Sequence, residues 1–289
     1  MKFEGYYYKV LNTIYMSIKH QIYLISDSTG ETIDRIFLAI KAQFKDFKYV
    51  NHQYAFTRTE NQISKILDLA KKYKDSIILY TIVDNNLAKY LENEAKKFKI
   101  PCISVLGDLI LNFSKIIHKT ATHIPSAQHI LDEEYYKRIE AIQFTMNHDD
   151  GNSIDDINKS DIILLGVSRT SKTPTSIYLA NRGFKTSNIP LINDSSIPNY
   201  LKQNPKEKCV VGLTVETKRL IDVRKNRMTT LKEGHGTNYT NLNKIESEIK
   251  EAKEAFKKYQ WPTVDVTRKS VEETAASIIK IYEIKKENA

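Results

Sequence analysis

Residues Asp161–Pro190 read DIILLGVSRTSKTPTSIYLANRGFKTSNIP. The stretch opens on an apolar run, Ile162-Ile163-Leu164-Leu165, long enough for one buried strand. Gly166-Val167-Ser168-Arg169-Thr170-Ser171-Lys172-Thr173 follows as a loop. Pro174 then starts a helical pattern through Ile177, Tyr178, Leu179 and Ala180, with Gly183 as its stop. Proline suits a first helical turn, where its missing N–H had no partner. Strand, loop, Lys-Thr, helix is the order of a phosphate-binding loop, whose usual pattern is G-x-x-x-x-G-K-[ST]. Here Ser171 stands at the second glycine. Backbone N–H groups and the positive helix end still face an anion. Lys172 can reach a phosphate, and Thr173 can hold Mg²⁺ or a phosphate oxygen. The plainer reading is a basic turn before a helix.

The rest of the chain repeats the strand–helix rhythm. Gln21–Ile25 reads as a strand, Ser26-Asp27-Ser28-Thr29-Gly30 as a loop, and Glu31–Ala42 as a helix with Ile33, Ile36, Phe37 and Ile40 on one face. This hydroxyl-rich loop suits either an anion at a helix start or plain capping by Ser28 or Thr29. Strands at 49–56, 76–82 and 102–106 alternate with helices at 60–73 and 86–98. Pro125 breaks the rhythm. Residues 131–148 then read as one linking helix, with Tyr135, Ile139, Ile142 and Met146 as its apolar stripe. Beyond Asp161–Pro190 come a strand at 209–213, a basic helix from Thr217, a long charged helix at 241–259, a strand at 263–266 and a capping box Ser270–Glu273 before the last helix. Alternating strands and helices predict an α/β fold of two domains with mainly parallel sheets. The expected boundaries are an N-terminal extension over 1–15, an α/β domain over 16–130, and a second over 131–289 carrying the P-loop-like strand–loop–helix.

Composition narrows the class. A chain of 289 residues suits one large or two ordinary domains, and 41% hydrophobic content is ordinary for a soluble globular protein. No apolar run approaches the ~20 residues needed to cross a bilayer. The opening residues lack the apolar core of a secretory signal. Cys102 and Cys209 lie far apart and show no metal-ligand spacing, so a reducing cytoplasm is the expected setting. The net charge of +9 suits an anionic ligand, though the basic residues are dispersed and make no nucleic-acid-binding tail.

Four blocks carry a family resemblance. SDSTGET at Ser26–Thr32, YKRIEAIQF at Tyr136–Phe144 with HDDG at His148–Gly151, GVSRTSKTPTSIYLANRGFK at Gly166–Lys185 and WPTVDVTRKSVEETA at Trp261–Ala275 resemble the pyruvate, phosphate dikinase regulatory protein family, in its order. The sister branch acting on phosphoenolpyruvate synthase tends to carry Gly in place of Ser171 and a different tail. The resemblance implies a bifunctional enzyme. It would use ADP to phosphorylate a threonine beside the dikinase's catalytic histidine, and remove that phosphoryl group with inorganic phosphate, releasing pyrophosphate. The family's nucleotide site maps onto Gly166, Val167, Ser168, Arg169, Thr170, Ser171, Lys172 and Thr173.

The expected roles follow from this. Lys172 neutralises the transferred phosphate, Arg169 adds a second cation, and Thr173 can ligate Mg²⁺. Asp149, Asp150 and Asp265 are the candidate bases, the first pair preferred for its short linker to the loop strand. Arg268 and Lys269, at a strand end, and Ser28 and Thr29 are candidate phosphate or substrate contacts. The dikinase is the expected partner, and a homodimer stays open. A small-metabolite kinase and a non-catalytic nucleotide or nucleic-acid binder are the alternatives.

Overall fold

The computed structural model describes residues 19–129, 131–231 and 239–288, so the expected extension over 1–15 lies outside the described residues. The chain divides into two compact units, Met1–Ile130 and Leu131–Ala289. Each is an α/β layer built on a four-stranded sheet in which every neighbouring pair is parallel.

In the first unit β1 (His20–Ile25), α1 (Glu31–Lys41), β2 (Tyr49–Tyr54), α2 (Glu60–Ala70), β3 (Ser76–Tyr80), α3 (Asn85–Lys97), β4 (Cys102–Ser104) and α4 (Gly107–Ile117) follow one another. The sheet order is β2-β1-β3-β4. Side chains alternate across a strand, so β1 feeds two cores. Tyr23 and Ile25 pack with Ile63, Leu67 and Leu91 on one face, and Ile22 and Leu24 with Ile33 and Phe37 on the other. Thr59 and Gln62 form a capping box for α2, and the Asp84 side chain caps α3. Ile40, expected on the buried face of α1, is exposed. Helix α4 has no counterpart in the sequence reading and buries none of its residues.

The second unit opens with α5 (Glu133–Asn147), capped by the Asp132 side chain. It continues with β5 (Ile162–Gly166), α6 (Lys172–Ala180), β6 (Thr186–Pro190), α7 (Asn199–Gln203), β7 (Cys209–Thr214), α8 (Thr217–Leu231), α9 (Leu242–Lys258), β8 (Thr263–Asp265) and α10 (Val271–Glu287). Its sheet order, β6-β5-β7-β8, repeats that of the first unit. Ile163, Leu165 and Val210 face Ile245, Ile249 and Phe256, while Ile162, Leu164 and Val211 face Leu179, Ala275 and Ile278. Each fully buried Ile or Leu of this kind contributes about 1.5–3 kcal/mol. Phe256 lies against Gly212 so closely that a Cβ there would sit 2.6 Å from its ring.

The stripe expected on α5 is not its buried face. Met146 is 67% exposed and Ile139 is also on the surface, whereas Ala141 and Thr145 are buried. Small side chains let α5 approach its neighbours closely, and that selects its inner face over hydrophobicity alone. The capping box at Ser270 and Glu273 forms as its spacing implies.

In each sheet the second strand in order of sequence lies on one side of the first, and the third strand on the other. The chain therefore leaves the carboxyl ends of β1 and β3, and of β5 and β7, in opposite directions. A crevice opens at such a switch point, where ligands of open α/β sheets bind.

Candidate functional site

The switch point of the second sheet carries the quoted loop. Strand β5 is buried throughout, which fixes where the loop begins. Gly166 closes the strand under tight constraint. A Cβ there would meet Thr170 Oγ1 at 2.7 Å and the Leu213 carbonyl at 3.0 Å. Thr170 is fully buried, and its hydroxyl donates to the Val167 carbonyl at 2.9 Å, holding the turn. Arg169 and Ser171 both adopt positive φ, 74° and 60°. Ser171 therefore occupies the left-handed conformation that glycine takes in the commoner pattern. It is also the N-cap of α6, and no side chain caps that end. The helix begins at Lys172, two residues before the expected start at Pro174. Pro174 is thus the third helical residue, still within the turn where no N–H is missed.

Asp150, Ser168, Arg169, Ser171, Lys172, Thr173 and Pro190 line a cavity of about 280 Å³ at this point. Lys172 is only 5% exposed, and its Nζ donates to the Val167 carbonyl at 3.2 Å. Burial pulls its pKa down to about 8, although Asp150 and Asp149 act to raise it. A single hydrogen bond leaves two ammonium protons for a ligand.

The two carboxylates of His148-Asp149-Asp150-Gly151 differ in their surroundings. Asp149 Oδ1 accepts from the Thr173 hydroxyl at 2.9 Å and from Asn188 Nδ2. The Asn188 side-chain carbonyl accepts the Asp150 amide at 3.1 Å, so one asparagine holds both residues. Asp150 is turned by a left-handed backbone, φ 51° and ψ 36°, and its side chain reaches the cavity. His148 is buried with its Nε2 unpartnered among the described residues, and its ring stacks on Phe144 at 3.8 Å.

Arg224, 1% exposed, braces the loop from α8. Its Nη2 donates to the Ser168 carbonyl at 3.3 Å and to Glu248 at 2.7 Å. Its guanidinium lies over the Tyr239 ring, 4.7 Å from the centroid. The Tyr239 hydroxyl accepts from Arg169 Nε at 3.2 Å. Burial would raise the pKa of this phenol, but Ser168, Arg169 and Arg224 outweigh it and bring it below the usual value.

Of the residues expected at the site, Lys172, Thr173, Ser168, Arg169, Ser171 and Asp150 come together at the cavity, with Asp149 bonded to its edge. Gly166, Val167 and Thr170 shape the loop from beneath. Asp265, Arg268 and Lys269 do not line this cavity. Asp265 is exposed and accepts from the Thr267 amide and hydroxyl, and Lys269 Nζ donates to Ser277. In the first unit, Ser28 and Thr29 do not cap α1. Its N-cap is Gly30, at φ 85°, with no side-chain bond to the helix.

Thr173 Oγ1 and Asp149 are hard oxygen donors of the kind Mg²⁺ takes, with waters and phosphate oxygens as its other ligands. Among the described residues no cluster of three or more His, Cys, Asp or Glu could hold a metal unaided. A pair completed by a phosphate fits Mg²⁺ better than a metal bound by protein alone.

A protein of Pelagibacter ubique (strain HTCC1062) is 71% identical over 94% of this chain and 100% of its own length. One of Maricaulis maris (strain MCS10) is 43% identical over 90% of this chain and 92% of its own. Both carry the name pyruvate, phosphate dikinase regulatory protein. The kinase/pyrophosphorylase family model matches residues 22–279, and the chain belongs to that family.

Proposed function

We propose that this chain regulates a pyruvate, phosphate dikinase by reversible phosphorylation, with ADP as phosphoryl donor and inorganic phosphate as acceptor in the reverse direction. The names of the relatives support the partner, and the family supports the two kinds of chemistry. The observation that carries the reading is Lys172, a buried cation in a cavity edged by the Asp149–Thr173 pair.

Phosphoryl transfer asks for positioning and charge neutralisation more than for covalent help. Lys172 and Arg169 neutralise the ADP phosphates, and the amides of Lys172 and Thr173 lie at an uncapped helix start. Asp150 is the carboxylate in the cavity, whereas Asp149 is occupied by Thr173 and Asn188. Asp150 therefore serves as the base. It takes the proton of the target threonine as the threonine oxygen bonds to the β-phosphorus of ADP. The bond from that phosphorus to the bridging oxygen breaks, and AMP leaves. In the reverse reaction an oxygen of inorganic phosphate attacks the phosphothreonine phosphorus. The threonine oxygen leaves and takes up a proton, and pyrophosphate is released. Asp149 and Thr173 would hold Mg²⁺, which supplies further charge neutralisation when bound.

The test is incubation with purified dikinase, phosphoenolpyruvate and ADP labelled at its β-phosphate, followed by mapping of the label. The expected result is label on a threonine beside the catalytic histidine. Label on a small molecule, with none on the protein, would overturn the assignment.

A further inference from the structure

The first sheet has a switch point of its own, and a cavity of about 180 Å³ opens there between the loop after β1 and the residues after β3. We propose that this cavity binds a monoprotonated phosphate group, as inorganic phosphate or as a phosphomonoester. The proposal does not rest on the kinase reading of the second unit.

Donors dominate the wall. Helix α1 starts at the cavity with Gly30 as its N-cap and no capping side chain, so the amides of its first turn have no side-chain acceptor. The Ser26 hydroxyl accepts the Ser28 amide at 3.1 Å, and the Ser28 hydroxyl accepts from Ser126 Oγ at 3.0 Å. Both hydroxyl protons remain to be donated. Arg58 stands behind them. Its Nη2 donates to Ser126 Oγ at 2.9 Å and its Nε to the Asp27 carbonyl at 2.8 Å.

A second feature is independent of the helix start. Thr81 is 4% exposed and lines the same cavity, and its hydroxyl makes no hydrogen bond among the described residues. A buried hydroxyl without a partner is uncommon in folded proteins and points to a group that completes it.

Asp27 decides which anion fits. Its carboxylate is buried on the cavity wall, with Oδ2 accepting the Val83 amide at 2.7 Å. A carboxylate keeps lone pairs after one such bond. An acceptor among donors repels a bare oxyanion but receives the P–OH of a monoprotonated phosphate, in a charge-assisted bond. Sulfate carries no proton near neutral pH and has nothing to offer it. Burial also raises the Asp27 pKa, against the pull of the Val83 amide, which makes its carboxylate a better acceptor.

The test uses the full chain with Lys172→Ala, so that the cavity of the second unit lacks its lysine. Inorganic phosphate, phenyl phosphate and sulfate are titrated calorimetrically, with thermal melting as the check on folding. Phosphate should bind saturably at one site, and sulfate at least about tenfold more weakly. Adding Thr81→Val should weaken phosphate about three- to tenfold, the loss of one hydrogen bond. Adding Asp27→Asn should remove the preference for phosphate over sulfate. Tighter binding of phenyl phosphate would identify a monoester as the ligand, and tighter binding of inorganic phosphate the free ion. Absence of saturable binding in a folded Lys172→Ala chain would overturn the proposal, as would equal affinity for sulfate while Asp27 is present. Should the Asp27 variant fail to fold, Ser28→Ala combined with Thr81→Val decides, and unchanged phosphate affinity there overturns it.

Discussion

The Thr173 hydroxyl donates to Asp149 Oδ1 at 2.9 Å, tying the second residue of α6 to the turn that follows α5. Asn188 closes this arrangement from β6, donating to Asp149 and accepting the Asp150 amide. Three segments that are distant in sequence thus fix the carboxylates relative to Lys172. The consequence is a division of labour, with Asp149 held in place and Asp150 free to face a ligand.

Asp149→Asn tests the held carboxylate. The amide oxygen can still accept from Thr173, so the fold survives, but the charge is gone. Phosphothreonine formation should fall about a hundredfold or more, the scale on which lost transition-state electrostatics are felt. ADP affinity measured by calorimetry should change by less than about tenfold. A folded variant with a near-normal rate would remove Asp149 from the machinery.

Arg224→Lys tests the brace behind the loop. A lysine cannot span the Ser168 carbonyl, the Tyr239 carbonyl and Glu248 at once. Stability should drop by about 1–3 kcal/mol, the range for hydrogen bonds to a charged group. The KM for ADP should rise more than kcat falls, because the loop is positioned by Arg224 and not chemically served by it. Denaturant unfolding and steady-state kinetics read the two effects separately.

Ser171→Gly tests the backbone. Ser171 sits at φ 60°, ψ 24°, a conformation that costs a side-chain-bearing residue about 1–2 kcal/mol. Glycine relieves the strain and gives some of the gain back through its freer unfolded chain. The variant should be slightly more stable and should keep measurable ADP binding. Complete loss of binding in a folded protein would show that the hydroxyl, and not the loop backbone, holds the nucleotide.

The two sheets were legible because each central strand is a short apolar run that must be buried on both faces, as at Ile22–Ile25 and Ile162–Leu165. The site loop was legible because its residues are contiguous. What escaped depends on partners distant in sequence. Nothing local marks Asn188 as the residue holding Asp149 and Asp150, or Arg224 among five basic residues of α8 as the one that turns inward. Helix α4 escaped because GDLILNFSKII carries apolar side chains nearly all round and shows no polar face. Asp265 was a fair candidate from its place at a strand end, yet its carboxylate is taken up in a local turn with Thr267.

Lys172→Met should separate stability from activity. The folded-state pKa of Lys172 is about 8, below its ordinary 10.5, chiefly because burial strips water from the ammonium. Between those two values the unfolded chain binds more protons than the folded one, so the wild-type chain gains stability as pH rises from about 8 toward 10.5. Below pH 8 the full cost of the buried cation is present, about 3 kcal/mol from a shift of this size. Methionine fills a similar volume without the charge. At pH 7 the variant should therefore be about 1–3 kcal/mol more stable than the wild type, some of the gain being lost with the attraction to Asp149 and Asp150. That advantage should shrink as pH climbs through the same window, and activity should be absent throughout. Denaturant titrations of both proteins from pH 7 to 10.5 provide the measurement. A variant that is less stable at pH 7, or whose margin stays level with pH, would show that Lys172 is not a strained cation awaiting an anion.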